Sequence, residues 1–279
     1  AKAQNSGVFV KDEGVRGRRK KLFANSFVFS SVLAGVLTAG MGVEAGELKV
    51  AGVEFVYRAP EKYNRKSAVM VLFGGRNWEG AKTLKAFGFD GLADRYGVFL
   101  LSPSFSGNDY WEPDKGSGEI LKKALEELEK KYRLESPKLY FYGYSAGGQC
   151  ASLYYAWMPE RVAAWGAHGC GYFAKTIPEK PVPALVTCGT GDAERFNIGR
   201  TFACRYRERG GELLWKFDSS GHELSADALK LARAWFAAQL EGKKAVEYGE
   251  DDTGRIGGAI DPEYRNPLPT REIRELWAK

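Results

Sequence analysis

The stretch that most constrains this chain is residues 138–152, KLYFYGYSAGGQCAS. Leu139-Tyr140-Phe141-Tyr142 is an apolar run with the length and aromatic content of a buried strand. The chain then turns through Gly143-Tyr144-Ser145-Ala146-Gly147-Gly148, and the segment from Cys150 to Trp157 reads as a helix that Pro159 ends. Strand, G-x-S-x-G and helix in that order form a strained turn that exposes the serine hydroxyl at its tip. Gly143 and Gly147 carry no Cβ, so strand and helix can approach closely on either side. The bland alternative is a tight turn between two core elements. The flanking strand and helix favour Ser145 as a candidate nucleophile.

A serine hydroxyl needs an adjacent base, and the chain of 279 residues holds only two histidines, His168 and His222. Each follows a strand, and reactive groups of open α/β sheets lie beyond the carboxyl ends of strands. His222 sits in the loop Ser219-Ser220-Gly221-His222 after the last strand and is the expected general base. Asp192 follows Gly189-Thr190-Gly191 at the end of the preceding strand and is the expected orienting acid, in the order nucleophile, acid, base. Asp218, the rival, is too close in sequence to His222. His168 is expected either to line the pocket and bind substrate or to be a hydrogen-bonded structural histidine. A tetrahedral intermediate needs two N–H donors. Ala146 supplies one; the loop Phe73-Gly74-Gly75-Arg76 supplies the other, with Gly75 favoured and Arg76 the second choice.

Around this site the pattern alternates. A hairpin over residues 48–57 turns at Ala51-Gly52, and residues 67–73 form an apolar run with the character of a central parallel strand. Residues 81–96 have helical period with Leu84, Phe87, Leu92 and Ala93 inward, and residues 98–101 are the next strand. Residues 118–132 form an amphipathic helix with Ile120, Leu121, Leu125 and Leu128 as its stripe. Strands at residues 161–166, 182–188 and 212–217 alternate with helices at residues 197–209 and 225–240. This predicts an α/β class protein with a doubly wound, mostly parallel sheet. Residues 46–241 form the expected catalytic domain. Residues 242–279, with Gly257-Gly258, Pro262, Pro267 and Pro269, read as an extended, partly disordered polar tail with a short helix at residues 271–277.

The net charge of +6 resembles a nucleic-acid signal, but its location argues otherwise. Seven of the 41 Lys/Arg lie in residues 1–21, and the chain beyond residue 45 carries 34 basic against 32 acidic residues. A nearly neutral body excludes a phosphate-binding groove. Arg16–Lys21, RGRRKK, precedes residues 22–43, which hold no charge, and Val43-Glu44-Ala45 closes the segment with small residues. That order predicts a secretory signal peptide over residues 1–45 and a secreted or periplasmic protein; an uncleaved membrane anchor is the alternative. Cys150, Cys170, Cys188 and Cys204 lack metal-ligand spacing and are expected as free thiols or one disulfide.

The elbow, acid loop and histidine loop resemble the α/β-hydrolase superfamily over residues 48–240. Within it the chain is similar to the secreted esterases grouped with polyhydroxybutyrate depolymerases, feruloyl esterases and acetylxylan esterases, through Gly-Tyr-Ser-Ala-Gly-Gly and a domain with no large inserted lid. One departure is Phe73-Gly74, where those esterases have His-Gly. The resemblance implies hydrolysis of a carboxylic ester through an acyl-enzyme, without cofactor or metal, on a small-molecule or polymer-linked ester. A serine peptidase or acyltransferase of the same fold is the first rival, and a non-catalytic binding protein the second. Trp78, Tyr110, Trp111 and Phe196 lie in loops at the carboxyl edge; Trp78 and Trp111 are the substrate-binding candidates, against ordinary packing.

Overall fold

Two strands begin the fold of the computed structural model, which describes residues 44–279; the segment read as a signal peptide lies outside these residues apart from its last two. Strands β1 (Glu44–Val50) and β2 (Val53–Ala59) form the expected hairpin, with Ala51 and Gly52 at positive φ in the turn. Next come β3 (Val69–Phe73), β4 (Phe99–Pro103), β5 (Leu139–Tyr144), β6 (Val162–His168), β7 (Ala184–Gly189) and β8 (Leu213–Asp218). They join one eight-stranded sheet in the order β1-β2-β4-β3-β5-β6-β7-β8. β2 runs antiparallel to both neighbours, and β3 to β8 are mutually parallel.

Every residue of β3 and β5 is buried, because helices cover both faces of the sheet. Strand alternation divides the core. Val69, Val71 and Phe73 face one layer with Leu121 and Leu125 of α3 (Ser117–Tyr132), Cys150 and Ala151 of α4 (Ala146–Trp157), and Phe202 of α5 (Ala193–Glu208). Met70 and Leu72 face the other layer with Phe87 of α1 (Gly80–Phe87), Leu92 of α2 (Asp90–Tyr96) and Trp235 of α6 (Ala226–Leu240). The single helix expected over residues 81–96 is therefore two. Gly88 takes φ 61° and caps α1, which turns the chain so that Phe87 and Phe89 are both fully buried. Helix α5 starts four residues earlier than expected, immediately after Asp192. The connection from β6 to β7 is a loop, with no inserted lid. Among the described residues, no helix is long and apolar enough to cross a membrane.

The tail is the largest departure from the sequence reading. Instead of an extended surface segment it forms a hairpin, β9 (Glu247–Glu250) with β10 (Arg265–Leu268), followed by the expected helix α7 (Arg271–Trp277). Leu268 and Ile273 are fully buried and Trp277 is nearly so. The physical reason is the open edge of β8. Trp215 N–H donates to Asn266 Oδ1 at 2.6 Å, and Trp277 Nε1–H donates to the Trp215 carbonyl at 2.9 Å. An edge strand exposes such groups for pairing, and here the tail's side chains satisfy them.

Candidate active site

The nucleophile turn is built by close approach. A Cβ on Gly143 would lie 1.9 Å from the Gly147 carbonyl oxygen, and one on Gly147 would lie 2.0 Å from that of Phe73 and 2.4 Å from that of Gly74. Only glycine allows this contact, which sets the start of α4 against the loop after β3. Ser145 takes φ 56° and ψ −120°, a strained backbone for a residue with a side chain. Its N–H donates to the His168 carbonyl at 2.9 Å, so the neighbouring strand holds the strained residue in place.

The three residues expected to act together are together. Ser145 Oγ lies 2.9 Å from His222 Nε2, and His222 Nδ1 lies 2.6 Å from Asp192 Oδ2. The carboxylate can only accept at Nδ1, so this tautomer leaves Nε2 free to accept from the serine hydroxyl. Asp192 is buried, while the His222 side chain is about one-third exposed. The other oxygen of Asp192 accepts from Arg195 Nη1 at 3.0 Å, one turn along α5. Sequence reasoning missed Arg195; its signal was the i,i+3 spacing from Asp192.

Asp218 is engaged elsewhere. Its Oδ1 accepts from the Ser220 N–H at 2.8 Å and the Ser220 hydroxyl, and its Oδ2 accepts from the Ser225 hydroxyl at 2.6 Å. Burial pushes its carboxyl up, but these hydrogen bonds prevail and hold it below the usual carboxylate range. Burial pushes all four thiols upward, Cys170 and Cys188 to about 12, and none is paired. Thiols raised in this way stay protonated near neutral pH.

Ala146 opens α4 beside Ser145, and the loop after β3 that carries Gly75 meets α4 at Gly147. Gly75 is buried, and a Cβ on it would meet the rings of Trp78 and Tyr144 at 3.2 Å. Arg76 is exposed and its Nη2 donates to Asn108 Oδ1 at 2.7 Å. Trp78 is half-buried against Tyr144, with ring centroids 5.6 Å apart. Trp111 is half-buried at the end of a cleft of about 660 Å³ that runs along α4 past Gln149, Leu153 and Trp157 to Tyr172. The Gln149 N–H donates to the Ser145 carbonyl, so this lining residue lies one helical turn from Ser145, while Ser145, Asp192 and His222 themselves do not line the cleft. Phe196 is not in a loop; it packs from α5 onto Trp215 and Phe217. Tyr110 is buried and stacks on Phe105.

His168 does not line the pocket, which corrects the substrate-binding expectation. It is 1% exposed. Its Nε2–H donates to the Glu223 carbonyl at 2.7 Å, and its Nδ1 lies 2.8 Å from the Thr187 hydroxyl. A carbonyl only accepts, so Nε2 carries the proton and Nδ1 accepts from Thr187. Burial is the main cause that holds this imidazole below its ordinary pKa of 6.5, and it outweighs the Glu223 hydrogen bond and the carboxylates of Asp218 and Asp192. The unfolded chain therefore binds more protons than the folded one below pH 6.5, and stability falls as pH drops through that value. Urea unfolding from about pH 7 to about pH 5 should show a steeper loss of stability for the wild type than for His168→Gln, which lacks the titrating ring.

No family model matches the sequence, and no curated protein matches it. Solved structures do. A thermostable esterase aligns at 20% identity and TM-score 0.53 over 64% of this chain, which spans 55% of that esterase's own length. A ferulic acid esterase aligns at 16% identity and TM-score 0.56 over 71% of this chain and 96% of that one. An S-formylglutathione hydrolase from Staphylococcus aureus aligns at 12% identity and TM-score 0.58 over 71% of this chain and 97% of that one. The strand order, the glycine-bounded turn at Ser145 and these structural likenesses together show that the chain has the α/β-hydrolase fold.

Proposed function

We propose that the protein is a serine esterase that hydrolyses carboxylic esters through an acyl-enzyme. The observation that carries this reading is the continuous hydrogen-bonded line from Ser145 Oγ through His222 to Asp192, at 2.9 and 2.6 Å. In the first step His222 Nε2 takes the Ser145 proton as Oγ bonds to the ester carbonyl carbon. Asp192 stabilises the imidazolium without accepting its proton. The N–H groups of Ala146 and Gly75 stabilise the oxyanion; each such donor contributes about 10²–10³ in kcat. The intermediate collapses, the ester C–O bond breaks, and the leaving alkoxide receives the proton from His222. A water, deprotonated by the same histidine, then releases the acid and restores Ser145.

The esterases among the structural neighbours support an ester substrate. The cleft along α4 supports a polymer-linked ester, such as an acylated plant polysaccharide or a polyester. Trp111, Trp157 and Tyr172 offer aromatic faces there, with Glu112, Gln149 and Lys175 as polar partners. The basic-then-apolar order of residues 1–45 supports a secreted or periplasmic location.

The test is a substrate panel: p-nitrophenyl acetate, acetylated xylan, methyl ferulate and short polyester oligomers, beside peptide and acyl-acceptor controls. Ester turnover without peptide cleavage is the expected result, and hydrolysis of peptides in preference to every ester would overturn the reading. Trp111→Ala should raise KM for the polymer-linked substrate by about 2- to 10-fold, the worth of one aromatic stack, and leave KM for p-nitrophenyl acetate unchanged.

A further inference from the structure

We infer that His168 and Tyr144 form a clamp that positions the histidine of the proposed triad. The inference rests on that triad. Two side chains from the carboxyl ends of adjacent strands hold two consecutive carbonyls of the loop that carries His222. Tyr144 Oη–H donates to the His222 carbonyl at 3.0 Å, and His168 Nε2–H donates to the Glu223 carbonyl at 2.7 Å. Burial pushes the Tyr144 phenol up, so it remains a donor at neutral pH. The Tyr144 ring is near-parallel to both imidazoles, its centroid 5.9 Å from that of His168 and 5.4 Å from that of His222, within 27° of parallel to each. The backbone adds a second link, because the carbonyl of His168 accepts from the Ser145 N–H at 2.9 Å. One buried residue thus touches the strained nucleophile through its backbone and the base loop through its ring. Thr187 fixes that ring from the other side.

Neither residue reaches the hydroxyl of Ser145 or the cleft, so both are positioning residues. Their role is to keep His222 Nε2 within hydrogen-bond reach of Ser145 while α6, which follows the loop, is free of that task. A base displaced by about 1 Å costs on the order of 10²-fold in rate.

The experiment uses the full chain with p-nitrophenyl acetate. His168→Leu should lower kcat by about 10²-fold with KM held, because the substrate cleft is untouched. His168→Gln, whose amide N–H can replace Nε2–H, should restore most of that loss. The downfield proton resonance of His222 Nδ1–H should broaden in His168→Leu and return in His168→Gln. Tyr144→Phe removes one hydroxyl only and should lower kcat in the same direction with KM held; it keeps the test alive should His168→Leu not fold. Wild-type kcat in a folded His168→Leu, or in Tyr144→Phe, would overturn the clamp. Ser145→Ala separates the two levels: turnover surviving in that variant removes the triad itself, whereas an inactive Ser145→Ala beside a fully active His168→Leu removes only the clamp.

Discussion

Replacing Ser145 by Ala is expected to lower kcat for p-nitrophenyl acetate by about 10⁴- to 10⁶-fold while the protein stays folded. The size follows from the role: without Oγ no acyl-enzyme forms, and knocking out one member of such a triad costs nearly as much as removing all of it. A factor of 10⁶ is about 8 kcal/mol of transition-state stabilisation. The fold should hardly notice. Ser145 Oγ contacts His222 at an exposed position, and alanine can hold the same backbone with the same strain. Thermal unfolding should shift by no more than about 0.5 kcal/mol, the usual range for a change that leaves packing intact. Ser145→Gly should be equally inactive but more stable by about 1 kcal/mol, since glycine adopts φ 56° without strain. Loss of activity accompanied by loss of folding would mean that Ser145 is a structural turn residue.

The largest expected effect on stability lies far from that serine. Arg207→Met should lower unfolding free energy by about 3–5 kcal/mol, because it leaves a buried carboxylate unpaired. The Arg207 and Asp251 side chains are 2% and 1% exposed. Arg207 Nη1 donates to Asp251 Oδ2 at 2.7 Å and Nη2 donates to Oδ1 at 3.2 Å, a bidentate pair. The guanidinium also reaches the carbonyls of Leu213 and Glu263 and the side chain of Asn266, so one arginine ties α5 and β8 to the C-terminal hairpin. At about 2–4 °C per kcal/mol for a domain of this size, Tm should fall by about 10 °C. Arg207→Met combined with Asp251→Leu should recover part of that loss, since no charge is then stranded. Arg207 lies fifteen positions beyond Asp192 along α5, about 22 Å of helix. At low temperature kcat should therefore stay near the wild-type value. A Tm within about 2 °C of wild type in Arg207→Met would show that the tail is not held by this pair.

Legibility in the sequence followed burial. Val69–Phe73 and Leu139–Tyr144 were readable because strands covered on both faces are apolar without interruption. Ser145, Asp192 and His222 were readable because their chain order and strand-end positions are local features. What stayed hidden were polar groups whose partners are distant in sequence. Arg207 lies in a segment read only as helix, and Asp251 and Asn266 lie in one read as a polar tail, yet the three are buried together, and nothing near Asp251 announces an arginine 44 positions earlier. The tail looked polar because its apolar contributors, Leu268, Ile273 and Trp277, are few and far apart. His168 stayed open between a pocket role and a structural one, because its strand-end position suits either and its partner at Glu223 lies 55 positions away. Tyr144 occupies a variable position of G-x-S-x-G, so the motif gives it no role, although its hydroxyl and ring both hold the histidine loop.

The central claim is that Ser145 is an activated nucleophile, and covalent capture tests it most directly. The full chain is treated with a fluorophosphonate, digested, and mapped by mass spectrometry, beside Ser145→Ala and His222→Ala. The account predicts a single adduct on Ser145, absent in Ser145→Ala and formed far more slowly in His222→Ala. No adduct on Ser145, or labelling at an unchanged rate without His222, would contradict it.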